Sequence, residues 1–109
     1  MVDLNRIGEV SRRIAQAFHP DRIVLFGSHA RGTAGEDSDV DLLVVMPFEG
    51  KAVAKSVEIR LKVRPGFPMD LLVRTPEKVQ ERLAMGDGFM REILDTGKVL
   101  YEADRGRVG

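Results

Sequence analysis

Cysteine is absent from the 109 residues. Without it there is no disulfide framework and no thiolate metal site, so any metal must be held by oxygen or imidazole. Charge of one sign is not in excess either: lysine plus arginine and aspartate plus glutamate stand at 17 each. A protein built to grip long duplex nucleic acid more often shows a basic surplus, so that class is not indicated. No apolar run approaches a membrane span, and the opening Met-Val-Asp-Leu-Asn-Arg has no apolar core of a signal peptide. A cytoplasmic protein is the expectation. Internal repeats, low-complexity tracts and interdomain linkers are also missing, and this length suits a single domain over 1–109 with one core.

What is present is concentrated between residues 22 and 46. Arg22-Ile23-Val24-Leu25-Phe26 reads as a strand, stopped by Gly27-Ser28. Ten residues later come Asp39-Val40-Asp41, running into Leu42-Leu43-Val44-Val45. The segment from Ser38 to Met46 reads as a second strand, buried on both faces. Asp39 and Asp41 are two apart, so on a strand they share a face. Acids beside a buried strand are costly unless paired or metal-bound. Carboxylate oxygens suit a hard divalent ion such as Mg²⁺. A Gly-Ser turn can cradle a phosphate with backbone N–H groups and a hydroxyl.

Two familiar motifs fail on their own terms. A P-loop places lysine after its second glycine, but Gly32 is followed by Thr33. An EF-hand opening at Asp37 would need glycine at 42 and glutamate at 48, where the chain has Leu42 and Phe48. Glu36 and Asp37 themselves read as a solvated acidic loop.

The stretch LFGSHARGTAGEDSDVDLLVV resembles the signature of the DNA-polymerase-beta-type nucleotidyltransferases, and more closely their smallest members, the minimal nucleotidyltransferase domain proteins. The pattern is Gly-Ser, ten residues, Asp-x-Asp, and every position is filled. The resemblance extends from the first helix to Lys98-Val99-Leu100-Tyr101-Glu102. It implies an α/β (α+β) nucleotidyltransferase fold, a small mixed sheet of about four strands flanked by helices. It also implies a third carboxylate on a neighbouring strand. Asp70, at the head of the run Leu71-Leu72-Val73, is the acid most like it, with Glu58 a weaker alternative in a helix.

On that resemblance Asp39, Asp41 and Asp70 are the catalytic and metal-binding acids, serving two Mg²⁺ ions. Gly27 lets the backbone approach the phosphates of ATP or another nucleoside triphosphate, and Ser28 bonds them. Arg31 is a candidate phosphate ligand, because a guanidinium meets two phosphate oxygens at once; a solvated basic residue is the equal alternative. The expected reaction moves a nucleoside monophosphate, AMP on the family pattern, onto a hydroxyl. Many minimal members are antitoxins that modify a HEPN-domain toxin, so the resemblance implies such a partner and an antitoxin role. A non-catalytic antitoxin that merely covers its partner and a small-molecule nucleotidyltransferase of the antibiotic-modifying kind, completing its site as an oligomer, are the alternatives.

The remaining pattern is ordinary. Asp3 should cap a helix over 4–18, with Leu4, Ile7, Val10, Ile14 and Phe18 inward. Ser28 to Arg31 should form a helical turn with His29 in solvent. A helix over 51–63 should turn Val53, Val57 and Leu61 inward. A third strand is expected over 67–74. Thr75-Pro76 should start a helix running to about Met85, and a second should cover 89–95 and end before Gly97. Phe89 is expected to pack in the core, although its glycine-flanked position also suits a partner contact. The methionines should fill core gaps. Residues 98–102 form an edge strand, and 103–109 a frayed tail.

Overall fold

The computed structural model describes residues 2–104. The elements in chain order are α1 (Leu4–Phe18), β1 (Arg22–Phe26), α2 (Ser28–Arg31), β2 (Val40–Val45), α3 (Ala52–Val63), β3 (Met69–Arg74), α4 (Pro76–Ala84), α5 (Gly88–Thr96) and β4 (Lys98–Glu102). The four strands form one mixed sheet in the order β3-β2-β1-β4. β1 runs antiparallel to both β2 and β4, whereas β2 and β3 are parallel. Parallel neighbours need a crossover, and α3 supplies it.

Strand alternation sorts the apolar residues into two layers. Ile23 and Leu25 of β1, Val40, Leu42 and Val44 of β2, and Met69 and Val73 of β3 face the side covered by α1 and α3. They pack there on Ile7, Val10, Ile14, Ile59 and Val63. Val24, Leu43 and Val45 face the other side, against Val79 of α4 and Met90 and Ile93 of α5. This second layer is the thinner one, and Asp41 lies at its open end.

Local signals start and stop the helices as expected. The Asp3 carboxylate accepts from Asn5 N–H at 2.7 Å, and Thr75 Oγ1 accepts from Lys78 N–H at 3.1 Å. His19 ends α1 in the left-handed region, with its N–H bonded to the Ala15 carbonyl. Asp87, within the Gly86–Gly88 break, caps α5 by accepting from Phe89 and Met90 N–H groups. The strands begin later than the sequence suggests: β2 at Val40 and β3 at Met69. Residues 105–109 of the expected tail lie outside the described residues, and Ala103 N–H is held by the Asp21 carbonyl at 2.9 Å.

Three expectations about packing are corrected. Val53, Val57 and Leu61 of α3 face outward, at 74%, 48% and 65% exposure, and Ile59 and Val63 are buried instead. Apolar residues lie on both sides of α3, so periodicity alone selects no face. The helix is oriented by what it must join: Arg13 of α1 reaches the Val63 carbonyl at 3.1 Å, and Arg60 reaches the Met69 carbonyl at 2.6 Å. In α1 the apolar stripe is buried at Ile7, Val10 and Ile14, but Leu4 at its start is half exposed. Met46, Met69 and Met90 fill core gaps, whereas Met85 is exposed.

Gly97 does more than end α5. Its φ is −72°, an ordinary value, so handedness is not its reason. A Cβ there would stand 2.5 Å from the Ile93 carbonyl oxygen and 2.5 Å from Val24 Cγ1. The α5–β4 connection passes too close to β1 for a side chain. Gly97→Ala is expected to destabilise the fold by about 1–3 kcal/mol, as overpacking does. Urea unfolding measures this, and a wild-type midpoint would refute the close approach.

Candidate active site

The site grows from the parity of β2. Leu43 and Val45 face α4 and α5, so Asp41 faces that side too. In register, Phe26 of β1 stands opposite Asp41, and Asp41 stands beside Asp70 of β3. One row across the sheet therefore reads Phe26, Asp41, Asp70. Asp39 precedes the strand and is exposed, as is Asp70; Asp41 is partly buried.

Burial chiefly pushes the Asp41 carboxyl above its ordinary value, and the negative charges of Asp70 and then Asp39 add to the effect. Asp41 is the point at which the three acids are felt together. Among the described residues no three His, Cys, Asp or Glu side chains are gathered into a ready cation cage. The donor set nevertheless fits one kind of ion. All the groups are carboxylates, their mutual repulsion falls on one of them, and a hard divalent cation relieves it.

Gly27 abuts this acid. Its φ of 75° and ψ of −157° lie where only glycine is comfortable. A Cβ there would overlap the Asp41 carboxylate, standing 3.2 Å even from Cγ. The bare backbone of the turn is thus pressed against the acid. Ser28 opens α2, which closes at Gly32 with φ 77°.

A cleft of about 310 Å³ opens beside Asp41. Gly27, Arg31 and Phe26 line it from one side, and Phe89, Glu92, Ile93 and Thr96 of α5 from the other. Of the six residues singled out in the sequence, Gly27, Arg31 and Asp41 line this cleft, and Ser28, Asp39 and Asp70 do not. Glu58, the weaker alternative, is exposed on α3, which covers the opposite side of the sheet.

Two residues near the site contradict their sequence reading. His29 is buried, with 6% exposure, not in solvent. Val2 N–H donates to its Nε2 at 3.2 Å, and its Nδ1 lies 3.2 Å from the Asp39 carbonyl oxygen. Because an amide N–H can only donate, Nε2 accepts and Nδ1–H donates to Asp39. The ring ties the segment before α1 to the acid loop. No local pattern announces this, since Val2 and His29 are far apart in sequence. His29→Ala should cost about 1–3 kcal/mol by leaving the buried Val2 N–H and the partly buried Asp39 carbonyl without this partner. His29→Asn, whose amide can replace Nδ1–H, should cost less. Equal denaturation midpoints for Ala, Asn and wild type would rule the tie out.

Phe89 is 56% exposed, not in the core, and meets Phe26 edge to face at 5.9 Å and 81°. The signal was available in the spacing. Phe89, Glu92, Ile93 and Thr96 fall on one helical face that mixes apolar and polar groups.

A family model of the nucleotidyltransferase domain matches residues 7–100. Two relatives from Methanocaldococcus jannaschii are named as candidate protein adenylyltransferases. One is 54% identical over 108 residues, covering 92% of this chain and 72% of its own. Another is 32% identical over 80 residues, covering 73% and 77%. Among solved structures, a nucleotidyltransferase from Sulfolobus solfataricus, so named as a candidate, superposes with a TM-score of 0.63 at 20% identity, over 96% of this chain and 85% of that one. A toxin–antitoxin structure with AMP-PNP gives 0.61 at 21% identity, over 94% and 76%. Both structural likenesses concern the fold. Among the described residues no helix is long and apolar enough to cross a membrane.

Proposed function

Because the chain belongs to the nucleotidyltransferase domain family, we propose that it transfers AMP from ATP to a hydroxyl on a partner protein, a HEPN-type toxin, and acts as that toxin's antitoxin. The observation that carries the chemistry is the row in which Asp41 stands beside Asp70 with the bare Gly27 turn against its carboxylate. The names of the M. jannaschii relatives and the toxin–antitoxin likeness support a protein acceptor.

Asp39, Asp41 and Asp70 would hold Mg²⁺, two ions on the family pattern, which supplies positive charge to the triphosphate and to the acceptor hydroxyl. Gly27 leaves room for phosphate oxygens next to Asp41. The Ser28 hydroxyl and the Arg31 guanidinium hydrogen-bond them. An acceptor oxygen forms its bond to the α-phosphorus as the bond to the β-phosphate bridge breaks. Pyrophosphate leaves, and Asp70 takes the acceptor's proton. The partner must bring its hydroxyl to the exposed end of the acid row, where Asp70 and Asp39 reach solvent.

The test is co-expression with the protein encoded by the adjacent gene, followed by incubation with ATP labelled at either the α- or the γ-phosphate. Label from the α position is expected on the partner, and none from the γ position. Label from the γ position would make the protein a kinase, and label on neither would remove the protein-transfer reading.

A further inference from the structure

α5 buries Met90 and Ile93 yet leaves Phe89 more than half exposed at the mouth of the cleft. Phe26 meets the Phe89 ring edge to face at 5.9 Å and 81°, so one edge is packed and the rest of the ring is open to the cleft. An aromatic face kept bare in a concave site is costly to hydrate unless a ligand covers it. We propose that this cleft seats the nucleobase of the donor nucleotide, with Phe89 as the stacking surface and Glu92 accepting a hydrogen bond from the base's exocyclic amino group. The inference rests on the nucleotide-transfer reading and adds the base-recognising residues to it.

The polar groups divide the cleft. Gly27, which abuts the Asp41 carboxylate, and Arg31 of α2 are the groups suited to phosphate. Glu92 on α5 repels phosphate and can only accept hydrogen bonds when ionised. Thr96 Oγ1 already donates to the Glu92 backbone carbonyl at 2.7 Å, so its free lone pairs also accept. Both polar side chains that α5 offers therefore ask for a donor. An amino-bearing base supplies one, and a phosphate does not. Size agrees: about 310 Å³ lies at the lower end of small-ligand pockets, enough for one ring system with its substituents. A tyrosine side chain of the partner, one source of the acceptor hydroxyl, is the competing occupant. Its reactive hydroxyl would have to sit at the acids, which leaves Glu92 without a donor.

The experiment is calorimetric titration in Mg²⁺ with three probes: ATP, the triphosphate of purine riboside (which lacks the amino group), and inorganic tripolyphosphate. Phe89→Ala and Phe89→Leu are each expected to weaken ATP roughly tenfold, the scale of base–aromatic stacking. Tripolyphosphate should be held as in wild type, which also shows that the variants are folded. Wild type should prefer ATP to the purine riboside analogue by about tenfold, as for a hydrogen bond to a charged group. Glu92→Ala should bring that ratio to about one. Parallel loss of ATP and tripolyphosphate in Phe89→Leu, or an ATP preference that survives Glu92→Ala, would overturn the assignment. So would unchanged ATP binding with a raised acceptor KM, which would give the cleft to the tyrosine. If wild type holds ATP no tighter than tripolyphosphate, the base site falls and the transfer reading stands. If it holds neither, both fall.

Discussion

Asp41→Asn should abolish nucleotidyl transfer while the ligand-free protein folds and melts no lower than wild type. The loss should be on the order of a thousandfold, since a charged group at the reacting centre is removed. Wild-type Asp41 is raised mainly by burial, and Asp70 and Asp39 repel it. A carboxyl raised in the folded state weakens folding at pH above its folded value, and the penalty fades as pH falls through that value toward the ordinary 3.8. The variant carries no such penalty. Its stability advantage over wild type should therefore be largest near neutral pH and shrink on acidification. Added Mg²⁺ with ATP should reverse the order, raising the melting temperature of wild type and hardly moving that of Asp41→Asn or Asp39→Asn. Equal ligand-induced shifts in all three proteins would remove these acids from the site.

Gly27→Val should be nearly as severe, and for a different reason. The position needs φ of 75° with ψ of −157°, where a β-branched residue is strained by about 1–3 kcal/mol or more. The new side chain would also collide with the Asp41 carboxylate. Both effects fall on the turn proposed to meet phosphate, so transfer and ATP binding should be lost together, with a lower melting temperature. Asp41→Asn should not lower the melting temperature, and that contrast separates the two roles. A Gly27→Val protein of wild-type stability and wild-type affinity for ATP would contradict the close packing of turn and acid.

The parts of the fold that were legible are those written in local sequence. Asp3 and Thr75 cap their helices because a short oxygen side chain stands before each apolar periodicity. The run from Leu42 to Val45 is buried on both faces, because α1 and α3 cover one side of the sheet and α4 and α5 the other. Gly27-Ser28 and the Asp39–Asp41 pair meet at the same end of the sheet, because two adjacent antiparallel strands return the chain there. Asp70 joined them through the parallel register of β2 and β3.

What escaped was decided by residues far apart in the chain. α3 offers two apolar stripes, and only its place between α1 and β3 chooses Ile59 and Val63 over Val53, Val57 and Leu61. His29 looks like a turn residue until Val2 covers it. Phe89 looks like core because phenylalanine most often is, yet the thin layer under α5 needs only Met90 and Ile93. Its ring is left at the cleft.

The most direct measurement is the intact mass of the adjacent-gene protein after co-purification and incubation with Mg²⁺ and ATP, beside wild type and beside Asp41→Asn. A gain of one AMP moiety on the partner with wild type, and none with Asp41→Asn, is the expected result. An unmodified partner with both proteins, or the same gain with both, would contradict transfer by this row of acids.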